Sequence, residues 1–405
     1  MISTVTVIGA NLAGGRAVEA LRQKGFDGRI VLIGEEIWLP YERPPLSKEY
    51  LWLGGRPPEN FYLQEESWYD ENRIELRLGV RADSLDLAQG GVSLSNGKFV
   101  ATDCILLATG GSVRRLPLER GDVANVHYLR TRGDADAISE HLRPGARIVV
   151  IGMGVIGCEV AASASRLGCE VIAIEPAQVP MGRTLGSRFG AWLGRVHRGH
   201  GIDMRTGTGF AAFKVTQGRV QSVILNSGEL ISCDAVVAGI GIEPRVELAR
   251  DAGISISNGI ITNLSCQTSH PQVYAAGDVA FSPGFFGDMV RLETYQNAGD
   301  QAINASKGII GDTDFTLKPA WFWSDQFDLN IQVAGKIDDT LEVIVRGQME
   351  ENVFTAFFLE RDTVVGVITV NQASNMAIGR RMIEARKQPD RALLEDRGGR
   401  LRDLL

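Results

Sequence analysis

The chain has 405 residues, which is more than one compact core usually serves, so two or three domains are expected. Its net charge of −7 argues against a general nucleic-acid binder and against a protein of anionic membrane surfaces, since both are usually basic. The five cysteines form no C-x-x-C pair, which argues against a disulfide framework, a dithiol redox centre and a zinc site, and no metal is predicted.

The N-terminal segment bears on where the protein works. Val5–Ile8 has the β-branched pattern of a strand, and no charged region with a long apolar run precedes it, as it would in a signal peptide. No apolar stretch approaches the length of a membrane-spanning helix. The sequence therefore predicts a cytoplasmic protein without membrane association.

Short β-branched runs alternate with longer helical patterns in two separate parts of the chain. The predicted strand–helix–strand units are Val5–Ile8, Ala13–Lys24 and Ile30–Ile33, followed by Ile148–Ile151, Ile156–Leu167 and Val171–Ile174. Asp103–Gly110 also resembles Asp234–Gly241, each being a short apolar strand that ends in a glycine turn. This order is typical of parallel, doubly wound sheets, and its repetition indicates an internal duplication. We expect an α/β protein with two Rossmann-like dinucleotide-binding domains.

The last part of the chain has a different pattern, from about Pro319 onwards. Alternating apolar and polar residues predict the strands of an antiparallel sheet at Asn330–Ala334, Glu342–Arg346, Phe354–Leu359 and Val364–Val370. A helix rich in Arg and Lys is predicted over Met376–Lys387. These elements predict a third, smaller domain of the α+β class.

A glycine-containing turn follows the first strand and opens the first helix, as in sites that bind the pyrophosphate of a dinucleotide. Its predicted binding residues are Gly9, Asn11, Ala13 and Gly14. Asn11 occupies the middle position, where glycine is usual, and asparagine tolerates a positive φ better than most residues. Glu35 ends the next strand, where an acid would accept hydrogen bonds from ribose hydroxyls, and the adjacent Glu36 is the alternative.

The second turn, G-M-G-V-I-G, is a complete G-x-G-x-x-G between a strand and a helix. Its predicted binding residues are Gly152, Gly154, Ile156 and Gly157. Glu175 closes the next strand, where a carboxylate binds ribose hydroxyls and repels a 2′-phosphate, so NADH is favoured over NADPH. Arg183 lies nearby and is a candidate phosphate contact. Glu159, on the first helical turn, either is stabilised by the helix dipole or points towards the nicotinamide.

Five further segments resemble motifs of one enzyme family. They are R-P-P-L-S-K at Arg43–Lys48, Y-L-R-T at Tyr128–Thr131, V-Y-A-A-G-D at Val273–Asp278, R-L-E-T-Y-Q-N at Arg291–Asn297 and W-F-W-S-D-Q at Trp321–Gln326. With the two glycine turns, they make essentially the whole chain similar to the FAD-dependent ferredoxin reductases of bacterial oxygenase systems, the putidaredoxin-reductase and biphenyl-dioxygenase-reductase type. This family lies within the glutathione-reductase-like superfamily.

The resemblance implies roles for individual residues at an FAD site. The implied contacts are Arg43 at the pyrophosphate, Lys48 beside the flavin, Ala82 in the strand Leu78–Ala82 at the adenine, Arg130 elsewhere in the FAD site, Asp278 at the ribityl chain and Tyr295, through its backbone, at the flavin pyrimidine. In the family the second Trp of W-F-W-S-D-Q approaches the flavin, which nominates Trp323. Lys48, Glu159 and Trp323 are therefore the candidates for tuning the reaction.

The position of Asp278 has a consequence for domain order. In the family this Asp completes the FAD site, yet it lies beyond the second dinucleotide motif, which implies an NADH domain inserted into a discontinuous FAD domain. The implied segments are residues 1–112 and 244–318 for the FAD domain, 113–243 for the NADH domain and 319–405 for the C-terminal domain.

The activity that the resemblance implies is electron transfer from NADH through FAD to the [2Fe–2S] ferredoxin of a multicomponent oxygenase, so FAD and NADH are the expected cofactors. A rubredoxin reductase, a monodehydroascorbate reductase and a flavoprotein like apoptosis-inducing factor share these motifs and stay open as alternatives. Thiol-based relatives need a redox cysteine within residues 41–45, and this segment contains none. The oligomeric state also stays open.

Basic residues near the C-terminus are candidates for attracting an acidic ferredoxin into a transient, electrostatic complex. They are Arg380, Arg381, Arg386, Lys387, Arg391, Arg397, Arg400 and Arg402. The alternative interpretation is a solvated helix face with no partner.

Overall fold

The computed structural model describes residues 2–117, 123–396 and 398–405. The chain divides by its internal packing into two compact units. The first comprises Met1–Glu42, Glu59–Ser112 and Glu243–Ala320, and the second comprises Arg43–Pro58, Val113–Ile242 and Trp321–Leu405. Short strands at Gly111–Val113 and Ile242–Pro244 span two of the points where the chain passes from one unit to the other. The four predicted domain segments, which follow function rather than packing, stay a prediction.

A five-stranded parallel sheet forms the centre of the first unit. Its strands, in spatial order, are Val273–Ala275, Cys104–Leu107, Thr4–Ile8, Arg29–Gly34 and Ile74–Leu78. The inner strands are mostly apolar because both faces of the sheet are covered, whereas the edge strand Ile74–Leu78 alternates apolar residues with Glu75 and Arg77. Val7 and Leu32 face one core cluster together with the helices Leu12–Gln23 and Tyr295–Ile310, whereas Val31 faces a second cluster on the other side.

Smaller sheets complete the first unit. An antiparallel sheet contains Ala82–Asp86, Gly91–Leu94 and Phe99–Ala101, and a mixed sheet contains Ile260–Ile261, Ala280–Pro283 and Met289–Val290. The antiparallel sheet buries Val92, Leu94 and Val100 in the second core cluster. It therefore covers the face of the parallel sheet that the two long helices leave open.

The second unit repeats the parallel arrangement. Its five-stranded sheet has the order Asp203–Thr206, Glu170–Glu175, Arg147–Ile151, Ala235–Ala238 and Val126–Tyr128. A three-stranded antiparallel sheet of Phe210–Thr216, Arg219–Leu225 and Leu230–Ser232 lies against it through a shared core. In both units the strand before the glycine turn occupies the middle of the sheet. The predicted α/β fold with two Rossmann-like domains is confirmed.

The C-terminal segment forms a five-stranded antiparallel sheet within the second unit. Its order is Trp321–Gln326, Leu329–Gly335, Thr363–Val370, Val353–Glu360 and Glu342–Gln348. The helix Ala373–Glu384 packs on this sheet and begins three residues before the predicted Met376. The edge strand Trp321–Gln326 was not among the predicted strands, because its aromatic run W-F-W does not alternate apolar with polar residues. The predicted C-terminal α+β domain is confirmed.

The remaining helices are short, except for Val155–Arg166 and Gly182–Gly199. In the first unit they are Glu66–Glu71 and Glu247–Asp251, and in the second Pro44–Ser47, Glu49–Trp52, Arg132–Ser139, Val155–Arg166, Gly182–Gly199, Arg391–Glu395 and Leu401–Leu404. Gly186 interrupts Gly182–Gly199 with a φ of 74°, and the Asp339 carboxylate accepts hydrogen bonds from Ser187 where the helix resumes. Within the described parts of the chain, none of the helices combines the length and apolar composition required to cross a bilayer.

The prediction of a strand over Leu78–Ala82 is wrong. One strand ends at Leu78 and the next begins at Ala82, and Gly79 lies between them with a φ of 70°. The Val80 amide still donates to the Gly34 carbonyl of the parallel sheet at 2.9 Å, and from Ala82 the chain pairs in the antiparallel sheet. A positive φ in this range breaks an extended strand, and glycine adopts it without steric cost.

Candidate functional site

The second glycine turn uses its three glycines for three different reasons. Gly152 has a φ of 89°, and a Cβ there would lie 2.7 Å from the Gly239 carbonyl oxygen. A Cβ on Gly157 would overlap the Gly152 carbonyl oxygen, so glycine permits the helix Val155–Arg166 to pack tightly on the strand. Gly154 differs, because a Cβ there would meet no atom within 4 Å and would project into open space.

That open space lies at the N-terminus of the helix Val155–Arg166. Gly154 is the N-cap residue and provides no side-chain cap, so the first backbone amides of the helix are available to an anion. Ile156, in the first turn, is 42% exposed although it is a large apolar residue. A nucleotide pyrophosphate fits this cradle, since the amides would bind its oxygens and the nucleotide would cover the isoleucine.

Glu175 lies at the carboxyl end of its strand and faces the same turn. Its Oε2 accepts from the Met153 amide at 2.7 Å, and its Oε1 accepts from the Ala177 amide at 2.8 Å. The carboxylate is therefore held at the rim of the turn, the place predicted for a ribose contact. Arg183 lies exposed in the first turn of Gly182–Gly199.

The first glycine turn has the same construction with one change. Gly9 has a φ of 115°, and a Cβ on either Gly9 or Gly14 would overlap a backbone carbonyl oxygen. Ala13 is buried beside Gly277, whose Cβ position lies 3.1 Å from the Ala13 Cβ. Asn11 caps the helix Leu12–Gln23 with a φ of −122° and without a side-chain cap hydrogen bond. The first-turn amides are thus open to an anion here as well.

The backbone of Asn11 corrects one premise of the sequence analysis. Its φ of −122° is ordinary extended geometry, and Gly154 at the equivalent position has a φ of −73°. The middle position therefore does not demand a left-handed conformation, and the tolerance of asparagine for positive φ is irrelevant there. What glycine provides at this position is the absence of a side chain in front of the helix N-terminus.

We expect Asn11→Gly to retain FAD at least as well as the parent protein, with a dissociation constant that is unchanged or up to about tenfold lower. The reason is that glycine removes a side chain beside the pyrophosphate site without requiring a new backbone conformation. The measurement is FAD binding to the apoprotein, followed by flavin fluorescence. Weaker binding would show that the Asn11 side chain contributes a favourable FAD contact.

The two candidate acids of the first unit have different partners. The Glu35 carboxylate makes a bidentate ion pair with Arg245, with distances of 2.6 and 2.9 Å, which holds the pKa of Glu35 below its usual range. Glu36 accepts from the Tyr41 hydroxyl at 2.6 Å. The Arg245 carbonyl in turn accepts from Thr109 Oγ1 at 2.8 Å. Glu35 is thus oriented by an arginine for which the sequence contained no motif.

Other predicted FAD residues of the first unit lie at defined points of that unit. Ala82 is buried at the start of its strand. Asp278 follows Gly277, and its carbonyl accepts from Arg291 at 3.2 Å. Tyr295 is the first residue of the helix Tyr295–Ile310, and its hydroxyl donates to Glu42 at 2.7 Å. Its backbone amide therefore lies at a helix N-terminus, which suits the predicted backbone contact.

Arg43 and Arg130 lie together in the second unit. One terminal nitrogen of Arg43 donates to the Arg130 carbonyl at 2.6 Å. Thr131 and Asp134 form a capping box that starts the helix Arg132–Ser139, and Asp134 also accepts from the Arg130 amide at 3.0 Å. The structure thus brings the R-P-P-L-S-K and Y-L-R-T segments into contact, although 87 residues separate Arg43 from Arg130.

A buried ion pair joins Lys48 and Glu159. Their charged atoms lie 3.2 Å apart, and the residues are 4% and 3% exposed. Burial raises the pKa of the Glu159 carboxyl, while the Lys48 ammonium and the Ser47 and Ser324 hydroxyls act in the opposite direction. Glu159 is the fifth residue of Val155–Arg166, so it opens the second helical turn rather than lying in the first. Its partners are side chains, not the helix N-terminus.

Trp323 lies on the edge strand of the C-terminal sheet. Its ring stacks on Trp321 with a centroid separation of 5.3 Å and an interplanar angle of 25°. The Arg380 guanidinium lies 5.1 Å from the Trp321 ring centroid. An aromatic pair and one of the predicted basic residues therefore share this face.

The cysteine thiols are free and mostly buried. Burial raises the pKa of Cys104 and of Cys266 to about 12 each and keeps the pKa of Cys158 well above its ordinary value. Such thiols are poor nucleophiles because the thiolate is the reactive form. In residues 2–117, 123–396 and 398–405, no group of three His, Cys, Asp or Glu side chains is arranged to hold a metal ion.

Several polar residues around Glu159 were not predicted as functional. Ser47 donates a hydrogen bond to Glu159 Oε2, and Ser324 donates to Oε1 at 2.7 Å. Gln326 is hydrogen-bonded to Ser324, and His197 is hydrogen-bonded to Gln326. Ser47, Ser324 and Gln326 lie inside quoted motifs, so the motifs contained a signal for them. His197 lies in no motif.

Comparison with known proteins extends over the whole chain. Residues 3–302 match the family model described as pyridine nucleotide-disulphide oxidoreductase, and residues 321–405 match the one described as reductase C-terminal. The chain is 38% identical to the ferredoxin–NAD(+) reductase component of the anthranilate 1,2-dioxygenase system of Burkholderia cepacia, covering 96% of each chain. It is 36% identical to rhodocoxin reductase of Rhodococcus erythropolis, covering 94% of this chain and 89% of the relative.

A solved structure agrees with these sequence matches. The reductase in the covalent putidaredoxin reductase–putidaredoxin complex superposes with a TM-score of 0.95 at 34% identity, covering 99% of this chain and 98% of that one. The match includes both glycine turns and the C-terminal sheet, because nearly all residues of both chains are aligned.

Proposed function

The chain belongs to the pyridine nucleotide-disulphide oxidoreductase family and ends in a reductase C-terminal domain, and on this premise we propose that it passes electrons from NADH through FAD to a [2Fe–2S] ferredoxin that serves an oxygenase. It is an NADH:ferredoxin oxidoreductase. The observation that carries the proposal is the pair of open helix N-termini, behind Asn11 and Gly154, on two equivalent parallel sheets. One chain thus has two separate places for a dinucleotide.

The residues of the first unit would hold FAD at the turn Gly9–Gly14, with Glu35 at the ribose, Asp278 at the ribityl chain and the amide of Tyr295 at the flavin pyrimidine. Bound FAD would supply the link between a two-electron donor, NADH, and a one-electron acceptor. By the family resemblance, Arg43 would supply positive charge for the diphosphate, Arg130 would lie elsewhere in the FAD site, and Ala82 would contact the adenine.

NADH would occupy the second turn. The amides behind Gly154 bind the pyrophosphate, and the Glu175 carboxylate accepts from ribose hydroxyls and repels a 2′-phosphate. Glu159 and Lys48 supply a fixed buried pair of charges, and Trp323 supplies an aromatic face. Hydride transfer needs no side-chain acid or base, so these three residues orient and tune rather than exchange protons with the substrate.

The thiol-based relatives of this family are disfavoured by the cysteines. The described thiols have pKa values raised by burial, and residues 41–45 contain none. The sequence motifs alone also allow a rubredoxin reductase, a monodehydroascorbate reductase or a flavoprotein like apoptosis-inducing factor, and the identity of the electron acceptor separates these classes from a ferredoxin reductase. We also propose a cytoplasmic location, since free thiols are typical of a reducing compartment.

The test of the proposed function is anaerobic mixing of the FAD-loaded protein with an oxygenase-type [2Fe–2S] ferredoxin and either NADH or NADPH. Rapid bleaching of the ferredoxin with NADH, and slow bleaching with NADPH, is the expected result. Flavin reduction without ferredoxin bleaching would transfer the proposal to another acceptor. Absence of flavin reduction would favour the non-catalytic flavoprotein.

The basic residues near the C-terminus differ in their surroundings. Arg381 and Arg386 are exposed, whereas Arg391 is paired with Glu342 and Asp362 at 2.7 Å each, which neutralises its charge. Arg380 lies against Trp321, on the face that also contains Trp323. Arg397 lies outside the described residues. Arg380 and Arg381 are therefore the basic pair to test first.

We expect Arg380→Glu/Arg381→Glu to raise the apparent KM for ferredoxin about tenfold at low salt, with a smaller effect at high salt because exposed charges are screened. The measurement is steady-state ferredoxin reduction at several ionic strengths. Arg195→Glu/Arg198→Glu reverses two exposed charges on the helix Gly182–Gly199 and is the matched control. Equal KM values for Arg380→Glu/Arg381→Glu and the parent would show that this face of the helix Ala373–Glu384 has no role in docking.

A further inference from the structure

A chain of buried hydrogen bonds begins at Glu159 Oε1, the carboxylate oxygen other than the one paired with Lys48 Nζ at 3.2 Å. Ser324 Oγ donates to Glu159 Oε1 at 2.7 Å, and Gln326 Nε2 donates to Ser324 Oγ at 2.9 Å. Gln326 Oε1 lies 2.8 Å from His197 Nε2. Ser324 and His197 are fully buried, and Gln326 is 1% exposed. Water therefore cannot substitute for any member of this chain without a rearrangement of the core.

The hydrogen bonds all point in one direction. The Gln326 carbonyl oxygen can only accept, so His197 Nε2 must carry the proton and donate it. The Gln326 amide nitrogen donates to Ser324 Oγ and also faces Met181 Sδ at 3.6 Å, which is consistent with this orientation of the amide. Ser324 then has one proton left to donate, and Glu159 Oε1 receives it. A series of donors that ends in this way is matched to an ionised carboxylate.

His197 is fixed in a neutral form by the same geometry. Its Nδ1 is buried and has no hydrogen-bond partner among the described residues. With the proton on Nε2, Nδ1 is a bare acceptor nitrogen, whereas the charged ring would bury an N–H without an acceptor. Burial accordingly lowers the pKa of His197 to about 4. The ring thus stays a neutral donor to Gln326 over the physiological pH range.

The strand Trp321–Gln326 provides the geometry for this chain. Ser324 and Gln326 are two residues apart and lie on the same face of the strand, whereas Trp321 and Trp323 lie on the other face. The buried face meets the helix Val155–Arg166, which carries Glu159, and the helix Gly182–Gly199, which carries His197. One strand therefore joins the charged pair at Lys48 to a histidine on a different helix.

We propose that Ser324, Gln326 and His197 are positioning residues that hold the Glu159 carboxylate ionised and directed towards Lys48. Glu159 has two fixed oxygens: Oε2 for Lys48 and Ser47, and Oε1 for Ser324. The relevance of this arrangement to NADH oxidation rests on the proposed function, but the effect on the carboxylate does not. It is a property of the buried network itself.

The ionisable groups around the network are few. Lys48 faces Glu159 from the segment after Pro44–Ser47, and Cys158 is its neighbour on the helix, with a thiol pKa raised by burial. The edge strand contributes Asp325, which lies on the opposite face and accepts from Asn330 at 2.7 Å. His200, the C-cap residue of the helix that carries His197, is the ionisable group nearest to His197 in sequence. A change in the protonation midpoint of Glu159 can therefore be assigned to the substituted residue when these neighbouring groups are left unchanged.

The test measures the protonation midpoint of Glu159 in the FAD-loaded protein. The midpoint is obtained from the carboxyl stretching band of Glu159 in infrared difference spectra recorded over a range of pH. Glu159→Gln identifies the band. Ser324→Ala is expected to raise the midpoint by about one pH unit, because one hydrogen bond to the ionised form is lost. Gln326→Leu and His197→Phe are expected to raise it by less, since they act through Ser324.

Ser163→Ala is the matched control. Ser163 is a buried serine one turn after Glu159 on the same helix, and its hydroxyl donates to the Ser47 carbonyl at 2.6 Å rather than to the carboxylate. We expect no change of the midpoint in this variant. His197→Gln keeps an N–H donor and replaces His197→Phe if the latter fails to fold. Unchanged midpoints in Ser324→Ala and in the His197 variant would overturn the proposal.

The outcome is separable from that of the proposed function. A raised midpoint in Ser324→Ala supports the positioning role even if the protein reduces no ferredoxin. An unchanged midpoint overturns the positioning role even if ferredoxin is reduced rapidly with NADH. If both proposals hold, Ser324→Ala should also slow the reduction of flavin by NADH. The slowing should be smaller at high pH than at neutral pH, because high pH restores the ionised carboxylate.

Discussion

Replacing Gly154 by valine is expected to weaken NADH binding by at least about 100-fold, equivalent to about 2.7 kcal/mol, while FAD stays bound. The Gly154 Cβ position lies in open space at the N-terminus of Val155–Arg166, where the pyrophosphate must approach the backbone amides. A valine side chain would occupy that space. Because its Cβ meets no protein atom, the variant should fold normally. The measurement is an anaerobic NADH titration, with flavin absorbance as the check on FAD content.

Gly199→Val is the control for a glycine replacement with no ligand nearby. A Cβ on Gly199 also meets no atom within 4 Å, but this residue ends the helix Gly182–Gly199, away from the glycine turn. NADH should bind this variant as it binds the parent. An unaltered dissociation constant in Gly154→Val would mean that the nucleotide pyrophosphate does not lie against this turn.

Replacing Lys48 by methionine is expected to lower the free energy of unfolding by about 3–5 kcal/mol near pH 8, because a buried carboxylate loses its partner. Glu159 is 3% exposed, and no surface position is available to its charge. The pKa of Glu159 is already raised by burial, and loss of the Lys48 ammonium should raise it further. The folded protein then binds one more proton than the unfolded chain between the ordinary glutamate pKa and the raised value.

The pH dependence follows from that extra proton. When the folded state binds more protons, stability falls as pH rises. Relative to the parent, the stability loss of Lys48→Met should therefore be smallest at and below pH 4.5, the ordinary glutamate value, and it should grow as pH rises from there through the raised pKa. Urea unfolding of the FAD-loaded protein at several pH values measures this. The double variant Lys48→Met/Glu159→Gln has no charge to bury, so most of the stability should return without this pH dependence. A pH-independent loss in the single variant would contradict the argument.

The sequence alone was sufficient for the two parallel sheets and for both glycine turns. Val5–Ile8 and Ile148–Ile151 are apolar runs of strand length, followed at once by glycine and a helical pattern. Such local signals survive folding because steric limits on φ and the periodicity of burial act within a few residues. The prediction of a strand over Leu78–Ala82 failed because of another local feature: Gly79 adopts a φ of 70°, which interrupts the extended backbone.

Tertiary structure decided which polar groups meet Glu159. The resemblance implied that Lys48 lies beside the flavin, and the helix position of Glu159 suggested a helix-dipole or nicotinamide contact. Neither indicated that the two residues form a buried ion pair whose carboxylate accepts from Ser324. The sequence also contained no signal for Arg245, which lies 210 residues from its partner Glu35, or for His197, which lies 129 residues from Gln326. Residues so far apart in sequence meet only through the packing of whole helices and strands. A buried charge needs protein hydrogen-bond donors because that packing excludes water.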